Sequence, residues 1–230
     1  VLYNSHYFNR GSWYGPSFPG WNAPNGNLLP EPLLFVPTAY VCLIFTQVIF
    51  VCWLLRKAKA RWPQLGVPAM VGLIILGMTI VDSIIEILCL RTEVLAYPGG
   101  IREVTLWAGQ PYQFPLTEGL LFGGLGIGSL TVLRFFRNDR GETFVEKGID
   151  KLPIPQFGRQ WMRFLAIYGF AHGMFIMLWV VPNQWLGLKS DPFPEGLPSY
   201  LINDMCKYGD NRDQCPGPGI SIPRPIENPF

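Results

Sequence analysis

The sequence predicts an all-α fold: a polytopic bundle of transmembrane helices with irregular, Pro/Gly-rich outer segments. Hydrophobic residues make up 49% of the chain and charged residues only 15%, well below the roughly 25% charged residues of soluble domains. Four apolar runs each have about the 20 residues that cross a hydrocarbon core of roughly 30 Å. Basic residues cluster at the ends of these runs, which is typical of membrane proteins.

The four visible spanning helices alternate in direction. The first ends at Arg56 and Lys57, and the positive-inside rule places that end in the cytoplasm. We therefore predict a transmembrane bundle over residues 35–183, with an amphipathic loop at 137–160 on the inner surface. The predicted spanning helices cover residues 35–55, 67–90, 115–136 and 161–181.

Two segments rich in proline and glycine flank the bundle. Residues 1–34 form an aromatic-rich outer loop and residues 184–230 an outer tail. Cys206 and Cys215 lie in this tail, where we expect a disulfide that closes a short loop and is worth about 2–3 kcal/mol. The alternative is two free thiols. Because the chain starts at Val1 without a methionine, we also expect further residues before it.

The helix predicted over residues 67–90 carries two carboxylates. Asp82 and Glu86 are one helical turn apart and therefore share a face. A charge that faces lipid is costly, so this face is expected to look into protein or a wet cavity. Two acids at this spacing interact, and one tends to keep its proton while the other ionises. The pair is therefore a candidate acid–base centre.

Helix directions bring further polar residues to the same depth. Asp82 and Glu86 lie within about 12 Å of the outer end of their helix, Glu118 lies in the first turns of the next, and His172 is roughly 14 Å below the outer end of the last. We therefore predict one polar pocket in the outer half of the bilayer. The predicted catalytic residues are Asp82, Glu86 and Glu118, and the predicted substrate-binding residues are His172, Tyr112, Gln113 and Glu31.

Each of these residues also has a structural interpretation. Asp82 and Glu86 could serve only to hydrogen-bond to neighbouring helices, or to pair with a basic residue of a partner subunit. Glu118 could be a charge that complements a helix start, and a lone buried histidine such as His172 is more often structural than functional.

Several chemistries have no support in the sequence. Only two histidines, His6 and His172, are present, so a histidine-rich di-iron or copper site cannot be assembled from this chain alone. HExxH, GxSxG and CxxC signatures do not occur. We therefore predict neither a metal nor another cofactor. The net charge of +2, without a basic face that carries stacking aromatics, argues against nucleic acid as a partner.

Seven distinctive segments are spread over nearly the whole chain. They are YFNRGSWYGPSFPGW (Tyr7–Trp21), EPLLF (Glu31–Phe35), RKAKARWPQLG (Arg56–Gly66), AYPGGIREVTLWAG (Ala96–Gly109), YQFPLTEGLLFG (Tyr112–Gly123), RFFRNDRGETFVEKGID (Arg134–Asp150) and CPGPGISIPRP (Cys215–Pro225). Together these segments resemble the AveC-like spirocyclase family of actinobacterial membrane proteins.

The resemblance implies a dehydrative cyclisation that closes a hydroxy-ketone into a spiroketal. Such a reaction needs a proton donor to expel water and an anion to stabilise the oxocarbenium ion. Our own assignment makes Asp82 the ionised group and either Glu86 or Glu118 the acid, with Tyr112 and His172 orienting a lipophilic substrate. The protein is expected in a bacterial cell membrane, in contact with lipid, with its amino-terminal stretch and its tail outside.

Two other functions stay open. The chain could be a non-catalytic accessory subunit of a larger membrane complex, such as a membrane oxygenase or a lipid exporter, because helix faces lined by glycine suit a partner as well as a pocket. It could also bind a lipid or sterol without reaction. Carboxylates that line a cavity would favour an enzyme or a lipid binder, whereas carboxylates paired with another chain would favour a subunit.

Overall fold

The computed structural model describes residues 7–8, 35–92, 95–97, 100–189 and 191. Within them the chain is mainly helical, and the predicted all-α, multi-span fold class is confirmed. Four helical stretches are long and apolar enough to cross a membrane, judged by length and composition. These candidate spans are Tyr40–Arg61, Val67–Arg91, Leu116–Phe135 and Gln156–Leu186.

The spans are built from six α-helices and two π-helical segments within the described residues. The α-helices are α1 (Phe35–Arg61), α2 (Val67–Arg91), α3 (Leu116–Glu118), α4 (Gly128–Phe135), α5 (Gln156–Phe175) and α6 (Val181–Leu186). The π-helical segment Gly119–Ile127 joins α3 to α4, and a second one, Ile176–Val180, joins α5 to α6.

Short extended pieces accompany the helices. Strand β1 (Tyr7–Phe8) pairs antiparallel with β2 (Leu95–Ala96), and β3 (Thr105–Leu106) pairs antiparallel with β4 (Phe114–Pro115). The described 3₁₀ turns are Arg102–Val104, Phe144–Glu146, Ile149–Lys151 and Gly187–Lys189.

Contacts divide the described residues into two compact units. The first takes those within Val1–Leu43, Ser83–Glu118 and Val181–Phe230, and the second takes Ile44–Asp82 and Gly119–Val180. Helices α1 and α2 each contribute residues to both units. The two units are therefore described separately below.

Glycines in the π-helical segment Gly119–Ile127 let it approach α2 closely in the second unit. A Cβ atom added to Gly123 would lie 2.5 Å from the Cβ of Asp82, closer than real side chains come. The run GLLFGGLGI is also rich in the residue with nearly the lowest helix propensity, which suits a departure from regular α-helical turns at this close contact.

The loop between α4 and α5 is tied to α5 by ion pairs. One nitrogen of Arg163, Nη2, lies 3.1 Å from Glu142 Oε1 and 2.7 Å from Asp150 Oδ1, and Nη1 lies 3.6 Å from Glu146 Oε1. The hydrogen bond from Arg163 lowers the pKa of Asp150 below its ordinary value. These contacts hold three acidic residues of the loop against Arg163 of α5.

The inner segment 137–160, predicted to be amphipathic, contains two short 3₁₀ turns and the first residues of α5. Gly148 separates the two turns with a φ of 95°, a left-handed conformation that favours glycine. The last span also starts earlier than predicted, at Gln156 rather than Trp161, and ends later, at Leu186. The predicted outer segments lie largely outside the described residues, and the predicted boundaries 1–34, 35–183 and 184–230 stay predictions.

The first unit has an apolar cluster of Leu90, Tyr97 and Phe114, each at most 2% exposed. The rings of Tyr97 and Phe114 meet edge to face at 6.0 Å, a favourable aromatic geometry. Half-buried side chains of Tyr40, Ile87, Cys89 and Tyr112 pack around the cluster. It fixes the loop 95–97 beside the last turns of α2.

Replacement of Gly123 by alanine is expected to destabilise the protein by about 1–3 kcal/mol, because the new methyl group collides with Asp82. Gly169→Ala is the matched control, since a Cβ there meets nothing within 4 Å and alanine favours a helix. Thermal unfolding in detergent micelles measures both variants. Equal melting temperatures for the two variants would contradict the close packing of this glycine on α2.

Candidate functional site

A buried tyrosine donates a hydrogen bond to a carboxylate at the end of α2. The Tyr97 hydroxyl donates to Glu86 Oε2, and Tyr97 is fully buried. Glu86 itself is half-buried. Because lipid offers no donors, a phenol from the following loop provides the hydrogen bond that this carboxylate needs near the membrane core.

Gln113 holds Tyr97 in place from the other side. Its Nε2 donates to the backbone oxygen of Tyr97 at 2.9 Å, and its Oε1 accepts from the backbone nitrogen of Gly109 at 2.9 Å. Gln113 is only 2% exposed, and these two hydrogen bonds satisfy both ends of its buried amide. The residue therefore ties two loop segments together and fixes the position of the Tyr97 ring.

The electrostatics around Tyr97 keep it protonated. Burial, followed by the negative charges of Glu86 and Glu118 and by the hydrogen bond to Glu86, raises the pKa of Tyr97 well above its usual value. Glu118, at the end of α3, is 2% exposed. Two carboxyl groups thus act on one buried phenol. We call Glu86, Tyr97, Gln113 and Glu118 the Tyr97 cluster.

Tyr112 contacts a cation beside this cluster. The guanidinium of Arg91 lies 3.9 Å from the centre of the Tyr112 ring and 4.6 Å from that of Trp107, within the range of a cation–π interaction. Tyr112 also packs against the apolar cluster of the first unit. Of the predicted substrate-binding residues, Tyr112 and Gln113 thus lie in the same unit as Glu86 and Glu118.

Asp82 has its described neighbours in the second unit. Its Oδ1 accepts a hydrogen bond from Gln47 Nε2 of α1 at 3.2 Å, and both residues are at most 4% exposed. Gly123 packs directly against it. Asp82 and Glu86 lie one turn apart on α2, as predicted, but Asp82 belongs to the second unit and Glu86 to the first. The prediction of one common pocket stays a prediction.

His172 lies on the exposed side of α5. Its Nδ1 is 3.0 Å from the backbone oxygen of Tyr168, and the two rings lie 3.8 Å apart. The sequence led us to expect a buried residue, but its side chain is exposed within the described structure. Its role in orienting substrate is untested.

Glu31, His6, Cys206 and Cys215 lie outside the described residues. Their predicted roles, including the disulfide, stay predictions. Among the residues that the structure describes, no group of three or more His, Cys, Asp and Glu side chains could hold a metal ion.

Sequence reasoning missed two residues of these polar contacts. Tyr97 stands just before Pro98 in the sequence, and its type in a predicted loop gave no indication of complete burial. Gln47 is an amide inside the first apolar run. That amide was the available signal, because a polar side chain in a span needs a partner within the protein.

A known protein family matches most of this chain. The family model described as Spirocyclase AveC-like matches residues 1–201. The chain belongs to the AveC-like spirocyclase family. The predicted resemblance is confirmed, and the chain is a spirocyclase-like protein with four candidate membrane spans. No curated protein and no solved structure matches it.

The raised pKa of Tyr97 predicts how stability of this AveC-like chain depends on pH. A group whose pKa is higher in the folded state stabilises the fold below its unfolded pKa, about 10 for tyrosine, and that contribution is lost as pH rises through the folded value. We expect wild-type stability to fall above about pH 10 and Tyr97→Phe to show a shallower decline.

Thermal unfolding in micelles from neutral to alkaline pH measures this effect. Tyr168→Phe is the control, because Tyr168 is 50% exposed. Tyr97→Phe is also expected to lose about 1–3 kcal/mol at neutral pH, since Glu86 loses a donor. A Tyr97→Phe profile parallel to that of Tyr168→Phe would refute the electrostatic role of Tyr97.

Proposed function

We propose that this protein catalyses a dehydrative cyclisation that closes a lipophilic hydroxy-ketone into a spiroketal. The family supports the reaction class, and the apolar spans support a substrate that dissolves in lipid. The observation that carries the proposal is the Tyr97 cluster, in which two carboxyl groups act on one buried phenol that hydrogen-bonds to Glu86.

The reaction proceeds through an oxocarbenium ion. A hydroxyl group of the substrate first adds to its ketone to form a hemiketal. Protonation of the hemiketal hydroxyl then lets water leave, and the cation that remains is stabilised by a nearby anion. The second hydroxyl attacks the cationic carbon and gives up its proton to a base. One water molecule is released, and the catalytic proton is regained.

The Tyr97 cluster contains groups suited to both roles. The phenol that donates to Glu86 holds this carboxylate in a fixed position, so we give Glu86 the role of stabilising anion and base. Glu118 is then the acid. This assignment differs from the sequence hypothesis, which gave the anionic role to Asp82, because the contact with Tyr97 was invisible in the sequence.

The test is turnover of a synthetic dihydroxy-ketone by the full chain in vesicles. Glu86→Gln and Glu118→Gln are each expected to lower the rate by about 100-fold or more, the usual worth of general acid–base catalysis. Glu103→Gln is the matched control, since this glutamate is exposed in the same unit, and it should keep wild-type turnover.

The stereochemistry of the product separates catalysis from spontaneous closure. Wild-type protein should give one spiroketal isomer, whereas closure in solution gives the thermodynamic mixture. A rate for Glu86→Gln and Glu118→Gln equal to that of Glu103→Gln would remove the acid–base proposal.

A second candidate function is that of a non-catalytic membrane subunit. One observation favours it: no part of the most apolar window of the span Gln156–Leu186 is buried within the described structure. Gly169 and Gly173, one turn apart, also have open space where a Cβ would point, and paired small residues let a neighbouring helix approach. Stoichiometric co-purification of another membrane protein, together with no turnover by the isolated chain, would favour this function.

A further inference from the structure

Helix α1 has one buried face and one exposed groove within the second unit. Its buried face is formed by Gln47, Val48, Val51, Cys52 and Leu55. The other face holds a shallow groove of about 490 Å³. The groove is lined by Phe45, Thr46, Ile49, Phe50, Trp53 and Arg56. It is thus apolar along most of its length and ends at a guanidinium group.

A compact basic site closes the charged end of this groove. The ammonium of Lys57 lies 3.8 Å from the centre of the Trp53 ring, and Phe50 stacks on the same indole at 6.0 Å. Arg56 and Lys57 are both exposed. Among the residues that the structure describes, neither forms an ion pair with a carboxylate.

Other positive charges lie at the same end of the unit. Arg134 and Arg137, near the end of α4, act electrostatically on Cys52 together with Arg56. A hydrogen bond from Cys52 Sγ to the backbone oxygen of Thr131 joins α1 to α4 there at 3.9 Å. Three acidic residues of the neighbouring loop, Glu142, Glu146 and Asp150, instead pair with Arg163. The groove therefore ends in a field that attracts anions.

The length of the groove matches one leaflet of a bilayer. From Phe45 to Arg56 the helix rises about 16 Å, close to half of a hydrocarbon core of roughly 30 Å. An arginine at the level of the headgroups can bind a phosphate through two parallel hydrogen bonds. A flat aliphatic and aromatic surface below it can hold an acyl chain.

We propose that the α1 groove binds one anionic phospholipid, with its phosphate at Arg56 and Lys57 and an acyl chain along Phe45, Ile49 and Trp53. Two features favour this ligand. The cations at one end of the groove complement the charge of a phosphate, and the length of the groove matches one leaflet. An apolar partner helix would leave both cations without an anion. The site does not depend on the proposed cyclisation, because none of its residues belongs to the Tyr97 cluster.

The test is photocrosslinking of the full chain in phosphatidylcholine vesicles. A minor fraction of either phosphatidylglycerol or phosphatidylcholine carries a diazirine in its acyl chain, and labelled peptides are mapped by mass spectrometry. Labelling of residues 45–53 should be about fivefold stronger with the phosphatidylglycerol probe, the effect of one basic residue near an anionic surface.

Two substitutions of Arg56 test whether its positive charge selects the anionic lipid. Arg56→Gln should remove most of the excess of phosphatidylglycerol labelling over phosphatidylcholine labelling at residues 45–53, since only Lys57 remains, and Arg56→Lys should retain most of that excess. Arg61→Gln is the matched control, because it removes one exposed positive charge from the same helix end outside the groove. This control should label as the wild type does.

Three results would overturn the proposal. Equal labelling by the two probes would show that the groove is merely in contact with bulk lipid. Equal losses in Arg56→Gln and Arg61→Gln would show diffuse surface charge rather than a site. Crosslinks from residues 45–53 to another polypeptide in place of lipid would show a protein interface. Unchanged melting temperatures confirm that each variant is folded.

Discussion

Carboxyl groups on apolar helices need hydrogen-bond donors from the protein, because lipid offers none. In the first unit the Tyr97 hydroxyl supplies this donor to Glu86, and the loop after α2 is arranged around it. Gln113 fixes the backbone of Tyr97, and Leu90 and Phe114 exclude solvent from its ring. In the second unit Gln47 donates to Asp82, and Gly123 makes room for that side chain. Each of these two acids therefore explains an otherwise unexpected feature nearby: a buried loop tyrosine, an intramembrane amide, or a glycine in a tight contact.

The same constraint links the fold to the proposed chemistry. A carboxylate held by a fixed donor is preorganised to stabilise positive charge that develops beside it. Spiroketal formation passes through such a charge and uses no resident cofactor in the route proposed above. Membership of the AveC-like family supplies the reaction class, whereas the choice of Glu86 and Glu118 comes from their shared effect on Tyr97. The basic end of α1 differs from these acids, which receive hydrogen bonds from the protein. Its cations are exposed, and the ligand proposed for them is a lipid of the membrane.

The sequence predicted the spans well because long apolar runs and their basic flanks are direct consequences of bilayer thickness and charge. It also singled out Asp82, Glu86, Glu118 and Gln113, which proved buried or half-buried, since polar residues in or beside apolar runs are conspicuous. It could not find Tyr97, because the burial of a loop residue depends on tertiary packing. It expected His172 to be buried, although helical periodicity alone does not say which face of α5 meets the protein. The π-helical segments were also missed, since a departure from α-helical turns depends on local tertiary contacts, such as that of Gly123 with Asp82 in the first segment.

A double-mutant cycle between Glu86→Gln and Tyr97→Phe tests the central claim most directly. The claim is that the phenol and the carboxylate act as one unit in the proposed reaction. The measured quantity is kcat/KM for the dihydroxy-ketone in the two single variants and the double variant. If the account is right, the double variant loses little more activity than Glu86→Gln alone, because residues that act together have non-additive effects. A loss of kcat/KM in the double variant equal to the product of the two single losses would contradict the claim.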